Sequence, residues 1–288
     1  MLQFDTIDAV WRSIFMHIDN ETKIVCSLGA RQSRLGAMMH NAAYRHLMVN
    51  YIYVPFTVAD LEGSIRGMRA LGFRGSSVTM PFKEDAIRYI DRIDPIAADI
   101  GAVNTISNEN SVLAGYNSDW IGAVEALREV SKLRGRKAVL LGAGGAARAI
   151  AYGLKMNGAE VVILNRNTKR ARELSGSLNV EFGGCIRDLK KIKDYDILIN
   201  ATSVGFYPDV KNSIIGAEQM KEGRVVMDVV FRPEETMFLR CARSRKCITV
   251  AGYKMLLHQA VFQVELFTGK KAPFRVMEKA LLSGLRSM

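Results

Sequence analysis

Gly142, Gly144 and Gly145 separate a short apolar run at 138–141 from a segment of helical composition at 146–156. Strand, glycine turn and helix in that order let a pyrophosphate approach the backbone at a helix N-terminus, where unpaired N–H groups and the helix dipole favour an anion. Gly142, Ala143, Gly144, Gly145 and Ala146 are therefore candidate cofactor contacts, and Ala147 stands where a third glycine often does. A second apolar run, 159–164, ends in Asn165-Arg166. An Asp or Glu at that strand end would read a ribose hydroxyl. An amide and a guanidinium suit a 2′-phosphate instead, and hence NADP. Arg170, with Thr168 and Lys169, extends the grip on that phosphate.

A second group of polar residues lies earlier in the chain. Lys83 follows Pro81 at the end of an expected strand over 75–81, where open α/β sheets place ligands. Asp119 follows a strand and a turn, and Thr79 and Asn104 sit near strand ends. A lysine transfers protons when neighbours and desolvation lower its pKa, whereas a nearby carboxylate orients it and keeps it charged. The Lys83/Asp119 pair thus supports either base chemistry or electrostatic polarisation. The competing reading is structural: a solvated helix-start lysine, and an aspartate N-cap for a helix beginning at Trp120.

The elements that must position these groups alternate between strand and helix. Ile7, Val10, Trp11, Ile14 and Phe15 have the spacing of a leading helix. Strands are expected at 23–28, 51–56 and 75–81, with helices at 37–48, 58–71 and 83–93. A hairpin is expected from 102–106 and 112–116, then a linking helix at 120–130. After the glycine turn come strands at 159–164, 196–200, 225–229 and 247–250, and helices at 256–268 and 276–285. This pattern marks an α/β protein of two α/β domains, each around a mainly parallel sheet, with a ligand cleft between them. The domains expected are 1–119 plus 254–288, and 120–253.

Composition narrows the function further. The chain has 288 residues, 49% hydrophobic and 24% charged, which are ordinary globular values. No apolar run is long enough to cross a bilayer, and the start lacks the basic and apolar regions of a secretion signal, so a cytoplasmic protein is expected. Four scattered cysteines form no CxxC, and the four histidines lack metal-ligand spacing, so no metal site is expected. The net charge of +11 is spread over several clusters with no nucleic-acid motif. A surface that attracts an anionic cofactor and a carboxylate substrate explains it. Partners expected are small molecules, with neither nucleic acid nor membrane, in a monomer or homodimer.

Seven motifs then occur in one order: GSSVTMPFK at 75–83, GAVNT at 101–105, GYNSD at 115–119, GAGGA at 142–146, Asn165-Arg166, NATSVG at 200–205 and GYKMLLHQA at 252–260. In this order and over nearly the whole chain the sequence resembles the shikimate dehydrogenases. The resemblance implies an N-terminal substrate domain closed by the C-terminal helices, and a Rossmann-like NADP domain. It implies that Lys83 and Asp119 act at the hydroxyl being oxidised, that Thr79, Asn104 and Gln259 hold substrate hydroxyls, and that Thr202, Val204 and Val229 line the cofactor site. Gly252 and Met255 would sit by the nicotinamide. The expected reaction interconverts shikimate and 3-dehydroshikimate.

Three departures stand out. The family holds the substrate carboxylate with two serines in a His-Ser-x-Ser-Pro segment. Here Ser33 is the first serine only with a one-residue insertion, and Leu35 then replaces the second; without it the positions fall on Arg34 and Gly36. Phe231 replaces a tyrosine, and Asn167 a threonine. The pattern looks like the shikimate dehydrogenase-like branch. A quinate or aminoshikimate dehydrogenase, or an NADP-binding regulatory homologue of low activity, remains an alternative.

Overall fold

The computed structural model describes residues 18–287, so the expected leading helix lies outside the described residues. The chain divides into two units. The first holds the described residues up to Tyr116 together with those from Ala260 onward, and the second is Asn117–Gln259.

The first unit opens with β1 (Lys23–Gly29), α1 (Arg34–His46), β2 (Tyr51–Thr57), α2 (Leu61–Ala70) and β3 (Gly75–Val78). It continues with β4 (Arg92–Ile93), α3 (Pro95–Ile100), β5 (Thr105–Glu109) and β6 (Val112–Tyr116). The sheet order is β2-β1-β3-β5-β6-β4. β1 lies parallel to β2 and β3, whereas β5 runs antiparallel to β3 and β6. The β5–β6 hairpin turns through Asn110 and Ser111, both at positive φ, the conformation a two-residue hairpin turn requires. Cys26, Leu28, Ile65, Val78 and Ile106 form part of its core.

One expected element is corrected here. Residues 83–93 do not form an α-helix; a 3-10 turn spans Asp85–Tyr89, and Arg92–Ile93 join the sheet edge beside Ala114 and Gly115. Asp91 explains the change, because its carboxylate accepts from Leu113 N–H at 2.7 Å and pairs with Arg69 at 2.8 Å. These long-range bonds outweigh a local helical pattern worth little by itself. β3 likewise ends at Val78, ahead of the proline.

The second unit begins with α4 (Asp119–Arg128), followed by β7 (Lys137–Leu141), α5 (Gly145–Met156), β8 (Glu160–Leu164), α6 (Thr168–Leu178) and β9 (Glu181–Gly184). After these come β10 (Ile197–Asn200), β11 (Val225–Asp228), α7 (Met237–Ser244) and β12 (Ile248–Val250). All pairs are parallel, in the order β12-β11-β10-β7-β8-β9. The order reverses between β7 and β10, the switch point at which such sheets bind ligands beyond the strand C-termini. Val139, Leu141, Val162, Leu164, Leu198 and Val226 make its core, each fully buried aliphatic side chain contributing about 1.5–3 kcal/mol relative to exposure. Helix α8 (Gly252–Thr268) runs across the division, and α9 (Phe274–Arg286) packs on α1 in the first unit. No helix among the described residues is long and apolar enough to cross a membrane.

Candidate functional site

At the switch point of the second unit, Gly142 has φ +130°, and a Cβ there would lie 2.9 Å from the Ala201 carbonyl oxygen. Only glycine meets both demands. Gly144 is the N-cap of α5 and offers no side-chain cap, so the first N–H groups of that helix remain available to an anion. A Cβ on Gly144 or Gly145 would meet nothing within 4 Å, which leaves open space over those donors. Ala147 is fully buried behind them, where a larger side chain would push the helix off the strand.

At the end of β8, Asn165 donates to the Asn167 carbonyl at 3.0 Å, and the Asn167 side chain caps α6 by accepting from Lys169 and Arg170 N–H. The asparagine that departs from the family's threonine therefore has a structural role. Arg166, Lys169 and Arg170 are exposed, and none has an ion-pair partner among the described residues. Three cations around a helix N-terminus suit a phosphate. The residues present thus fit a phosphorylated dinucleotide.

The loops after β10 and β11 are tied together by Asp228, a buried carboxylate. It accepts from Thr236 Oγ1 at 2.6 Å, Asn200 Nδ2 at 2.9 Å and Val230 N–H at 3.0 Å. Burial pushes its pKa up to about 6, against the pull of those three donors. Asn200 Oδ1 in turn accepts from Thr202 N–H and its hydroxyl, and Thr202 Oγ1 accepts from Val204 N–H. Val229 N–H donates to the Asn200 carbonyl. Phe231 packs edge-on to Phe206 at 5.5 Å, and the Arg232 guanidinium lies 4.2 Å over the Tyr207 ring.

Asp119 is buried at the first position of α4, with Ser118 as the N-cap, so it is not the cap that a purely structural reading expects. Its N–H donates to Asn117 Oδ1 at 3.0 Å. Gly122, one turn on, lets α8 approach: a Cβ there would lie 2.5 Å from the Met255 carbonyl and 3.2 Å from Gln259 N. This contact sets Gln259 beside Ser118, whose hydroxyl lies 3.4 Å from Gln259 Oε1. Gly252 packs so closely on the Val230 carbonyl that no side chain fits there.

In the first unit, Lys83 is half-buried in the turn after β3, where its carbonyl accepts from Val103 N–H at 2.8 Å, next to Asn104. Asn104 is buried, held by its N–H to the Tyr116 carbonyl and its carbonyl to Val78 N–H. Thr79 N–H donates to the Leu28 carbonyl, and its methyl occupies the space left by the absent Cβ of Gly29. Ser33 caps α1 by accepting from Leu35 N–H at 3.2 Å, which leaves its hydroxyl proton for another acceptor. Arg34 donates to the Ser287 carbonyl and hydroxyl at 2.7 Å each, and Gly36 faces the Tyr53 hydroxyl. His40 is structural: Nδ1 lies 2.9 Å from the Gly36 carbonyl and its ring stacks on Tyr53 at 4.2 Å. Burial lowers its pKa to about 4, opposed by the Gly36 carbonyl and Gln263. Ser33, Thr79, Lys83 and Asn104 thus belong to the first unit, and Asp119, Gln259 and the cofactor-binding candidates to the second. Sequence reasoning missed Asp228, signalled only by one acid closing an apolar strand, and Gln263, which lies one helical turn beyond Gln259.

Known proteins place this arrangement. Residues 30–106 match the shikimate dehydrogenase substrate-binding domain, residues 124–231 the shikimate/quinate 5-dehydrogenase domain, and residues 252–282 the shikimate 5′-dehydrogenase C-terminal domain. The shikimate dehydrogenase (NADP(+)) of Methanothermobacter thermautotrophicus is 43% identical over 257 residues, covering 86% of this chain and 91% of that protein. The Thermus thermophilus shikimate 5-dehydrogenase solved with NADP(H) and shikimate superposes with a TM-score of 0.85 at 34% identity, over 92% of this chain and all of that one. The Listeria monocytogenes enzyme, solved with shikimate and NAD, gives 0.86 at 30% identity over 93% of this chain and 99% of that one. With its domain matches in sequence order and its relatives covered almost end to end, the chain belongs to the shikimate dehydrogenase family.

Proposed function

We propose that this chain is an NADP-dependent oxidoreductase that interconverts shikimate and 3-dehydroshikimate. The observation that carries the reading is the uncapped, glycine-bounded start of α5 followed by the exposed cations Arg166, Lys169 and Arg170. That combination suits a dinucleotide with an extra phosphate, and the M. thermautotrophicus relative is named for NADP(+). The N-terminal unit is the substrate domain and the Asn117–Gln259 unit the NADP domain.

A bound nicotinamide would supply or accept the hydride at the substrate's carbinol carbon. The protein handles the accompanying proton. Lys83 Nζ takes the hydroxyl proton during oxidation and returns it to the carbonyl oxygen during reduction. The resemblance to the shikimate dehydrogenases assigns Asp119 to the same step. Thr79, Asn104 and Gln259 hold the ring hydroxyls, and Ser33 the carboxylate. Thr202, Val204 and Val229, on the loops fixed by Asp228, line the cofactor site, with Gly252 and Met255 at its nicotinamide end.

Following NADPH absorbance with shikimate, quinate and an aminoshikimate as alternative substrates tests the reading. Shikimate is expected to give the highest kcat/KM. Phe231 and the Arg34–Gly36 segment, which lack the family's hydroxyls, favour the other two if shikimate is poor. Turnover of none of the three would leave only NADP binding. Lys83→Ala is expected to lower kcat by roughly 10²–10⁴-fold and to change the NADP Kd by less than about twofold. Unchanged turnover would remove Lys83 from the proton path.

A further inference from the structure

In the first unit, four hydrogen bonds, two of them buried and two part-buried, run in one direction. Tyr53 Oη donates to Ser77 Oγ at 2.9 Å, and Ser77 Oγ donates to Gln263 Oε1 at 3.0 Å. Gln263 Nε2 then donates to Thr105 Oγ1 at 2.8 Å, and Thr105 Oγ1 donates to Asn104 Oδ1 at 2.8 Å. The chain links β2, β3, α8 and β5, and Tyr53, Gln263, Thr105 and Asn104 are all buried. We infer that Gln263 is a positioning residue that fixes which end of the Asn104 amide faces the substrate. The inference rests on the proposed role of Asn104 as a substrate contact.

The physical basis is the polarity of the two amides. A hydroxyl donates once, so each link of the chain decides the next. With Oε1 toward Ser77 and Nε2 toward Thr105, Gln263 leaves the Thr105 proton for Asn104 Oδ1. The Asn104 carbonyl is thereby engaged, and its Nδ2 donors form the other end. Turning the Gln263 amide over reverses every later link: Thr105 would donate to Gln263, accept from Asn104 Nδ2, and leave Oδ1 outward. Asn104 would change from donor to acceptor.

Tyr53 sets the direction. A phenol is more acidic than a serine hydroxyl and heads the chain as donor. Burial also pushes its pKa up to about 12, so it keeps its proton at neutral pH. Its ring is held by the stack on neutral His40, whose Nδ1 proton is committed to the Gly36 carbonyl. An Asn104 fixed as a donor reads a lone pair: it accepts a hydroxyl or ketone oxygen and rejects an ammonium at that position.

Gln263→Met and Thr105→Val each break the chain while conserving volume. Each is expected to raise KM for shikimate about tenfold, to change kcat by less than about threefold and to leave the NADP Kd unmoved, as the loss of one oriented hydrogen bond does. Because both act through Asn104, the double variant should be no worse than either single one. Thr105→Ser keeps the hydroxyl and should restore wild-type KM. Additive effects, or no change in KM, would overturn the inference. A second measurement needs no turnover: the Asn104 side-chain amide resonances of the ligand-free protein should shift or double in Gln263→Met, and unchanged resonances would count equally against it. If the wild type fails to oxidise shikimate, the functional reading falls while the resonances still decide the chain's role. If it oxidises shikimate and the variants keep its KM, this inference alone falls.

Discussion

Arg166 is the residue proposed to separate two cofactors that differ by one phosphate. It is exposed at the end of β8, beside Lys169 and Arg170 at the start of α6, and it has no ion-pair partner among the described residues to lose on binding. A guanidinium on a phosphate forms charge-assisted hydrogen bonds, worth more than neutral ones even near solvent. NAD offers nothing there to hold. Arg166→Ala is therefore expected to weaken NADP binding roughly 10- to 100-fold and NAD binding by less than about threefold. Titration calorimetry with each cofactor checks it, and equal losses would remove the phosphate role.

Helices α4 and α8 touch through Gly122, and the contact positions Met255 and Gln259. An alanine there would gain roughly 1 kcal/mol in helix propensity. Its Cβ would also stand 2.5 Å from a backbone carbonyl, which no side-chain rotation relieves, and overpacking of that kind costs about 1–3 kcal/mol. The clash wins, so Gly122→Ala should lower the urea midpoint and raise KM for substrate. Gly176 in α6 is the control, because its added Cβ would meet nothing within 4 Å. Gly176→Ala should gain up to about 1 kcal/mol. If both variants gain stability, the close contact does not position α8.

The same element scale shows why some features were legible and others were not. The apolar runs of β1, β7, β8, β10 and β11 and the glycine turn declare themselves, because burial on both faces leaves a local signature. Helix α6 was not anticipated, since TKRARELSGSL has few apolar residues. The 83–93 segment misled for the opposite reason: it carries a helical spacing, and what cancels it is Asp91 bound to Leu113 and Arg69, partners distant in sequence. Lys83, Asn104 and Arg166 stand out in the sequence as candidates because they are polar groups at strand ends. Gln263 and Asp228 were not, because their importance lies in what they bond.

At the scale of the whole molecule, His40 and Asp228 give the two units opposite responses to acid. His40, in the first unit, has its pKa lowered by burial from 6.5 to about 4. Its contribution is therefore present above pH 6.5 and is lost as the pH falls through 4, since the unfolded chain takes up the proton first. Asp228, in the second unit, has its pKa raised by burial from 3.8 to about 6. Its contribution is present below 3.8 and is lost as the pH rises through 6. On going from neutral pH to about pH 5, His40 should weaken the first unit by about 2 kcal/mol, while Asp228 should strengthen the second by about 1 kcal/mol. Asp91, Asp188 and Asp196 also have lowered pKa values, through hydrogen bonds to Arg69, Lys191 and the Lys137 N–H respectively, but ion pairs so near solvent contribute little. Hydrogen exchange read separately in each unit at pH 7 and pH 5 should show the first unit opening more readily in acid and the second less so. His40→Phe should abolish the first change and Asp228→Asn the second, each leaving the other unit's response intact. If either variant keeps the wild-type pH response of its own unit, that buried group is not its source, and titration elsewhere in the unit must be.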